Sequence, residues 1–97
     1  MKAGLKIAFG TDVGGFSWSD PIAQEFGHMV ELGMTPMESI RSATSRAAEL
    51  LDAQGDLGVI APGAYADVIA VSGDPLRDVN VLKDVRFVMK DGSVFKQ

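Results

Sequence analysis

Residues 56–76, DLGVIAPGAYADVIAVSGDPL, mark the point at which this chain changes its periodicity. Pro62-Gly63 suits a tight turn, and Asp67 to Ser72 is a β-rich run. Upstream of Gly55 the apolar side chains recur instead at helical spacing, so the chain reads as α/β. Downstream, Asp91-Gly92 separates VRFVMK from SVFKQ, which is the two-residue signal of a β-hairpin. That spacing predicts Met89 opposite Val94 on one face and Val88 opposite Phe95 on the other. Apolar groups on both faces call for cover on both sides.

Working back toward the start, KIAFGTDVGG (Lys6–Gly15) places Leu5, Ile7 and Phe9 in alternation with Lys6 and Ala8 before Gly10-Thr11-Asp12 interrupts. The pattern predicts a short strand with Asp12 at its carboxyl end. Asp20-Pro21 offers an N-cap and a first helical residue, and Gly33 offers a stop. A helix from Pro21 to Leu32 would carry Ile22, Phe26, Met29 and Val30 on one face. TPMES, residues 35–39, contains a complete capping box, with Thr35 as cap and Glu38 reaching back. The helical stripe Met37, Ile40, Ala43, Ala47, Leu50, Leu51 follows, and Thr44-Ser45 offers a new cap that would divide it in two.

The order is therefore one strand, a helical middle and a β-rich tail, with a boundary near Gln54–Asp56. Segments 1–54 and 55–97 are each too small for a core of their own. The first strand has no sheet partner beside it in sequence, and exposed strand edges recruit other chains. A homo-oligomer is the expected state.

Composition bounds the function. The 97 residues are 46% hydrophobic and 23% charged, the balance of a folded domain rather than a disordered one. A formal charge of −4 with no basic cluster would repel a polyphosphate backbone, so nucleic acid is excluded as a partner. The longest apolar runs, such as Val68–Val71, fall far short of the roughly 18 residues a membrane helix needs. The chain reads as soluble, with cytoplasm as the default compartment and a signal peptide on a longer parent left open. With no cysteine and one histidine, His28, any metal would be held mainly by carboxylates.

A carboxylate at a strand's carboxyl end is placed to bind a cation or to take a proton from an activated water, because the loops there open onto a cleft. Asp12 fits that description, although an isolated Gly-Thr-Asp is more commonly an Asx-turn. Gly10 and Gly15 have the outer spacing of a phosphate loop, but Phe16 and Ser17 stand where lysine and a hydroxyl residue belong. Trp18 in FSWSDP serves either to line a substrate cleft or to pin the loop. Ser17 and Ser19 have no base nearby in sequence, so nucleophilic catalysis lacks support. His28 lies beside the apolar stripe with no clear ligand spacing around it, and Asp56, Asp67, Asp74 and Asp78 fall at turns.

Four stretches in order, KIAFGTD, GMTPMESIRSATSRAAELL, DLGVIAPGAYADVIAVSGDPL and VRFVMKDGSVFK, give the chain a resemblance to the C-terminal part of metal-dependent amidohydrolases. It is most similar to the imidazolonepropionase-like and Xaa-Pro dipeptidase (prolidase-like) members. The resemblance implies the last strand and outer helices of a (β/α)8 metallo-hydrolase barrel in 1–54, and part of a small composite β-sandwich in 55–97. It implies that Asp12 binds the catalytic metal, one or two zinc ions, and shuttles the proton of the attacking water. It also implies a small peptide or amide substrate, with dipeptides ending in proline as the leading example.

The resemblance exposes a shortage as well. The family's His-x-His, bridging residue and later histidines all belong to segments upstream of those matched here. GGFSWSDP occupies the region where many relatives carry Pro-His-Gly. One carboxylate does not satisfy an open catalytic zinc, which uses three protein ligands. The isolated chain is therefore expected to bind metal weakly and to be inactive. The rival expectation is a non-catalytic module that self-assembles through its unpaired strands.

Overall fold

The computed structural model describes residues 6–10 and 23–97. Three α-helices are followed by a three-stranded sheet: α1 (Gln24–Glu31), α2 (Pro36–Ala43), α3 (Ser45–Leu50), β1 (Val68–Val71), β2 (Val85–Lys90) and β3 (Ser93–Lys96), with a 3-10 helix at Val79–Lys83 between β1 and β2. The α/β reading holds, and each strand is short.

Local chemistry explains the helix boundaries. Thr35 accepts a hydrogen bond from the Glu38 N–H, and Glu38 accepts one from the Thr35 N–H, so the predicted capping box opens α2 with Pro36 behind it. The predicted division occurs at Thr44, whose φ of −122° and ψ of −95° leave the helical region, while its hydroxyl donates back to the Ile40 carbonyl at 2.9 Å. At the end of α1, Gly33 N–H donates to Val30 O and Met34 N–H to Met29 O, the paired bonds of a Schellman stop. Gln24 opens α1 with Ala23 at the cap position and no side-chain cap, so the described helix starts later than predicted. The expected Asp20-Pro21 start and Ile22 lie outside the described residues.

Two contacts join these pieces. The α1–α2 approach is lined by Ser39 and Ser42, both almost completely buried, whose small side chains let the helices close together. On another side α1 packs against the 3-10 helix, where buried Gly27 leaves room for the Asn80 amide. Among the described residues the buried hydrophobic ones are Met34, Ala48, Val79 and Leu82, drawn from both halves of the sequence. Each of the larger ones contributes about 1.5–3 kcal/mol by leaving water. Leu32, Leu50, Leu51, Ile60 and Phe95 by contrast stand exposed.

The sheet runs β1-β2-β3, antiparallel throughout. Asp91 and Gly92 both have positive φ, 48° and 80°, as a type I′ turn demands. Met89 pairs with Val94 as predicted, but Val88 pairs with Lys96 and not with Phe95, because the register shifts between Val88 and Met89. An irregularity of this kind adds a residue to one strand and turns the side chains beyond it out of their expected places. The expected β-run 67–72 is ordered as a strand only over Val68–Val71.

The predicted first strand finds no partner among the described residues, as its lack of a neighbour in sequence foretold. Residues 6–10 join no sheet, and Leu5 lies outside the described residues. A strand is defined by a ladder, and among the described residues the three strands pair with one another and none pairs with residues 6–10.

Candidate functional site

The segment Lys6–Gly10 stands just before the predicted Asp12 in sequence, and its attachment to the helices is specific. Phe9 N–H donates to the Ser42 carbonyl at 2.8 Å, and the Phe9 ring meets the Phe26 ring with centroids 4.8 Å apart and planes tilted by 33°. Ser42 Oγ donates to the Ser39 carbonyl at 2.6 Å and approaches Met29 Sδ at 3.7 Å. Ser39 Oγ donates to the Phe26 carbonyl at 3.0 Å. The contacts close on themselves: Phe9 to Ser42, Ser42 to Ser39, Ser39 to Phe26, and Phe26 back to Phe9. Buried hydroxyls are thus satisfied by main-chain acceptors, which avoids the cost of about 1–3 kcal/mol for an unpaired buried donor.

Beside this circuit lies an open cleft of about 740 Å³ lined by Lys6, Ile7, Ala8, Arg46, Glu49, Leu50 and Gln54. Glu49 takes both cations of the cleft, Lys6 Nζ on Oε2 and Arg46 on Oε1, each at 3.0 Å. The Lys6 hydrogen bond holds the Glu49 carboxyl below the ordinary carboxylate range against partial desolvation, and Arg46 pulls the same way.

Of the residues predicted for the site, Asp12 and Trp18 lie outside the described residues. His28 is on the exposed side of α1 with Nδ1 3.4 Å from Glu25 Oε2, a surface pairing. Asp74 Oδ1 accepts from Leu76 N–H and Asp78 Oδ1 from Asn80 N–H, the turn and cap roles expected of them. Asp67 does more than shape a turn, since its Oδ1 accepts from Asp91 N–H across the sheet at 2.8 Å. Among the described residues no three His, Asp or Glu side chains gather where they could hold a metal.

Sequence reasoning missed the serines and the Glu49 cluster. Ser39 and Ser42 stand at helical i, i+3 spacing, a weak signal of a close helix contact that is easily taken for a solvated face. Lys6 and Glu49 are far apart in sequence, so nothing local announces their pairing.

The amidohydrolase family model matches residues 1–95, nearly the whole chain. The chain belongs to the amidohydrolase family. It is 42% identical over 101 residues to the ochratoxinase of Aspergillus niger, an alignment that takes in 99% of this chain and 20% of that protein. Among solved structures it superimposes on a Xaa-Pro dipeptidase with methionine bound in its active site, with a TM-score of 0.91, 45% identity, and 99% of this chain against 23% of that one. A prolidase complexed with N-methylphosphonate-L-proline matches with a TM-score of 0.88 and 38% identity, over 99% of this chain and 24% of that one. The chain thus spans about a fifth to a quarter of the amidohydrolases it matches.

Proposed function

We propose that this chain is the C-terminal portion of a metal-dependent amidohydrolase that cleaves amide or peptide-like C–N bonds, with Xaa-Pro dipeptides as the substrate to test first. The observation that carries the reading is the superposition of 99% of the chain on a Xaa-Pro dipeptidase at 45% identity. In this reading 1–54 supplies the last strand and outer helices of a (β/α)8 barrel, and 55–97 supplies part of a β-sandwich. Asp12 accepts a proton from the attacking water and returns it to the leaving nitrogen. Trp18 lines the substrate cleft.

The described residues bring no three ligands together, and in this reading Asp12 adds its carboxylate to a centre whose other ligands come from elsewhere in the longer protein. The 97-residue chain is accordingly inactive by itself in this reading. The test compares it with the full-length polypeptide that contains it, by dipeptide hydrolysis and by zinc content. Activity and stoichiometric zinc in the long form only, lost on Asp12→Asn, are expected; an active, fully loaded 97-residue chain would refute the proposal.

The exposed Leu32, Leu50, Leu51, Ile60 and Phe95, with the outer edges of β1 and β3, favour a second reading in which copies of the chain self-assemble without chemistry. Light scattering separates the two. A defined dimer or tetramer supports assembly, and a monomer that unfolds cooperatively argues against it.

A further inference from the structure

Asp91-Gly92 forms the tip of the β2–β3 hairpin and is the one aspartate-glycine pair in the sequence; every other aspartate precedes a residue with a side chain. Before glycine, aspartate converts to isoaspartate without an enzyme, because no β-carbon shields the glycine nitrogen from the neighbouring carboxyl. The Gly92 nitrogen attacks Cγ of Asp91, the N–Cγ bond forms, and the carboxyl hydroxyl leaves as water with the proton of that nitrogen. The five-membered succinimide then takes a water back. Opening at Cγ restores aspartate, whereas opening at the former main-chain carbonyl leaves the chain running through Cβ and Cγ. One water is lost and one regained, with no change of oxidation state.

Two features of the fold act on this step in opposite directions. Both residues are exposed, and Asp91 lines an open cleft of about 250 Å³ with Leu57, Tyr65, Asp67 and Lys90, so water reaches the carboxyl. The attacking nitrogen, however, is engaged: Gly92 N–H donates to the Ala66 carbonyl at 3.1 Å, and beside it Asp91 N–H donates to Asp67 Oδ1 at 2.8 Å. The turn also aims that nitrogen away from Cγ. With φ of 48° and 80°, Asp91 and Gly92 have the type I′ form. In that form ψ of the first residue is about +30°, which sets the next nitrogen nearly opposite the β-carbon. Ring closure requires this peptide to turn over, and the Ala66 hydrogen bond breaks when it does.

We propose that Asp91-Gly92 is a site of spontaneous isoaspartate formation, held shut by Ala66 and Asp67 immediately before β1. Conversion inserts a main-chain carbon between Asp91 and Gly92, which a two-residue I′ turn does not accommodate. The pairs Met89–Val94 and Lys90–Ser93 are then lost, and β3 leaves the sheet. An intact sheet thus suppresses the modification, and the modification removes the sheet's last strand. The proposal is independent of any catalytic role for Asp12.

The test incubates the 97-residue chain and a peptide of residues 85–97 side by side at neutral pH. Isoaspartate is counted by enzymatic methylation of its free α-carboxyl and located by fragment masses. The peptide, which lacks Ala66 and Asp67, is expected to convert at least about tenfold faster than the chain. Asp67→Ala should speed conversion in the chain by about threefold or more, with Asp67→Asn between it and the parent. Thr35→Ala, which loosens α2 away from the turn, should leave the rate within about twofold. Asp91→Glu, whose ring would need six members, should abolish the product. Equal rates in chain and peptide overturn the proposal, as does product absent from both or located at another aspartate. Equal acceleration by Thr35→Ala and Asp67→Ala would assign the protection to global folding and overturn the role of Ala66 and Asp67.

Discussion

Gly58 packs directly on the main-chain carbonyl of Thr44, so closely that a β-carbon at position 58 would collide with that oxygen and crowd the Ser45 N–H as well. Its φ of +77° adds a second demand for glycine. Thr44 is the break between α2 and α3, so the first loop of the tail rests on the point where the helical stripe divides. Gly58→Ala is expected to cost about 3 kcal/mol or more, because the obstacle is backbone and has no rotamer with which to yield. Gly63, with φ of +89° and open space within 4 Å of where a β-carbon would stand, is the reference: Gly63→Ala should cost about 1–2 kcal/mol from the left-handed backbone alone. Urea denaturation of the two variants checks this, and equal losses would remove the Thr44 contact from the account.

The capping box offers a test of a different kind, since Thr35 and Glu38 each satisfy the other's main-chain N–H at 3.1 and 2.9 Å. Thr35→Ala should cost about 1 kcal/mol and Glu38→Ala somewhat less. Because the two bonds form one unit, the double variant should lose less than the sum of the singles. Additive losses in thermal unfolding would mean that the two bonds act independently.

These local features explain what was legible beforehand. The box, the Thr44 break and the Asp91-Gly92 turn are each written within a few residues, so their chemistry is visible without tertiary knowledge. The hairpin register was not, because the β2–β3 pairing shifts between Val88 and Met89, beyond the turn residues that announce the hairpin. The segment 6–10 has the alternation of a strand, yet a ladder requires a partner that the described residues do not provide. Asp12 was singled out by its place after a strand-like run and by the resemblance that KIAFGTD and the later stretches carry, and it lies outside the described residues. The serine contact was hidden, since Ser39 and Ser42 look polar and solvated until α1 is laid over them.

The Lys6–Glu49 pair predicts a pH effect. The carboxyl of Glu49 titrates below its ordinary value because Lys6, 3.0 Å from Oε2, stabilises the charged form, with Arg46 adding to it. A carboxyl whose folded pKa is depressed contributes stability that is fully present above the unfolded value of about 4.3 and is lost as pH falls through the lower folded one. Lys6→Met should raise the Glu49 midpoint toward the unfolded value, read from its side-chain carboxyl chemical shift. Added salt should move it in the same direction, since both side chains are partly exposed and screened. A midpoint unmoved by Lys6→Met would assign the depression to Arg46 instead.

Asp67 supplies the last prediction. Its Oδ1 accepts from the Asp91 N–H at 2.8 Å, its Oδ2 lies 3.9 Å from Lys90 Nζ, and Gly92 N–H donates to the neighbouring Ala66 carbonyl at 3.1 Å. The residues just before β1 thereby hold the β2–β3 turn, whose Asp91 sits at positive φ where a non-glycine residue is strained. The Lys90 contact is long and exposed and should matter little, whereas the charge-assisted bond to Asp91 should matter more. Asp67→Ala is expected to cost about 1–2 kcal/mol. Asp67→Asn, which keeps an acceptor oxygen and loses the charge, should cost less. The Asp91 amide should exchange faster in both variants, and fastest in Asp67→Ala. If instead Asp67→Asn were as damaging as Asp67→Ala while the Asp91 amide stayed protected, the ion pair with Lys90, and not the main-chain bond, would be what ties the hairpin to β1.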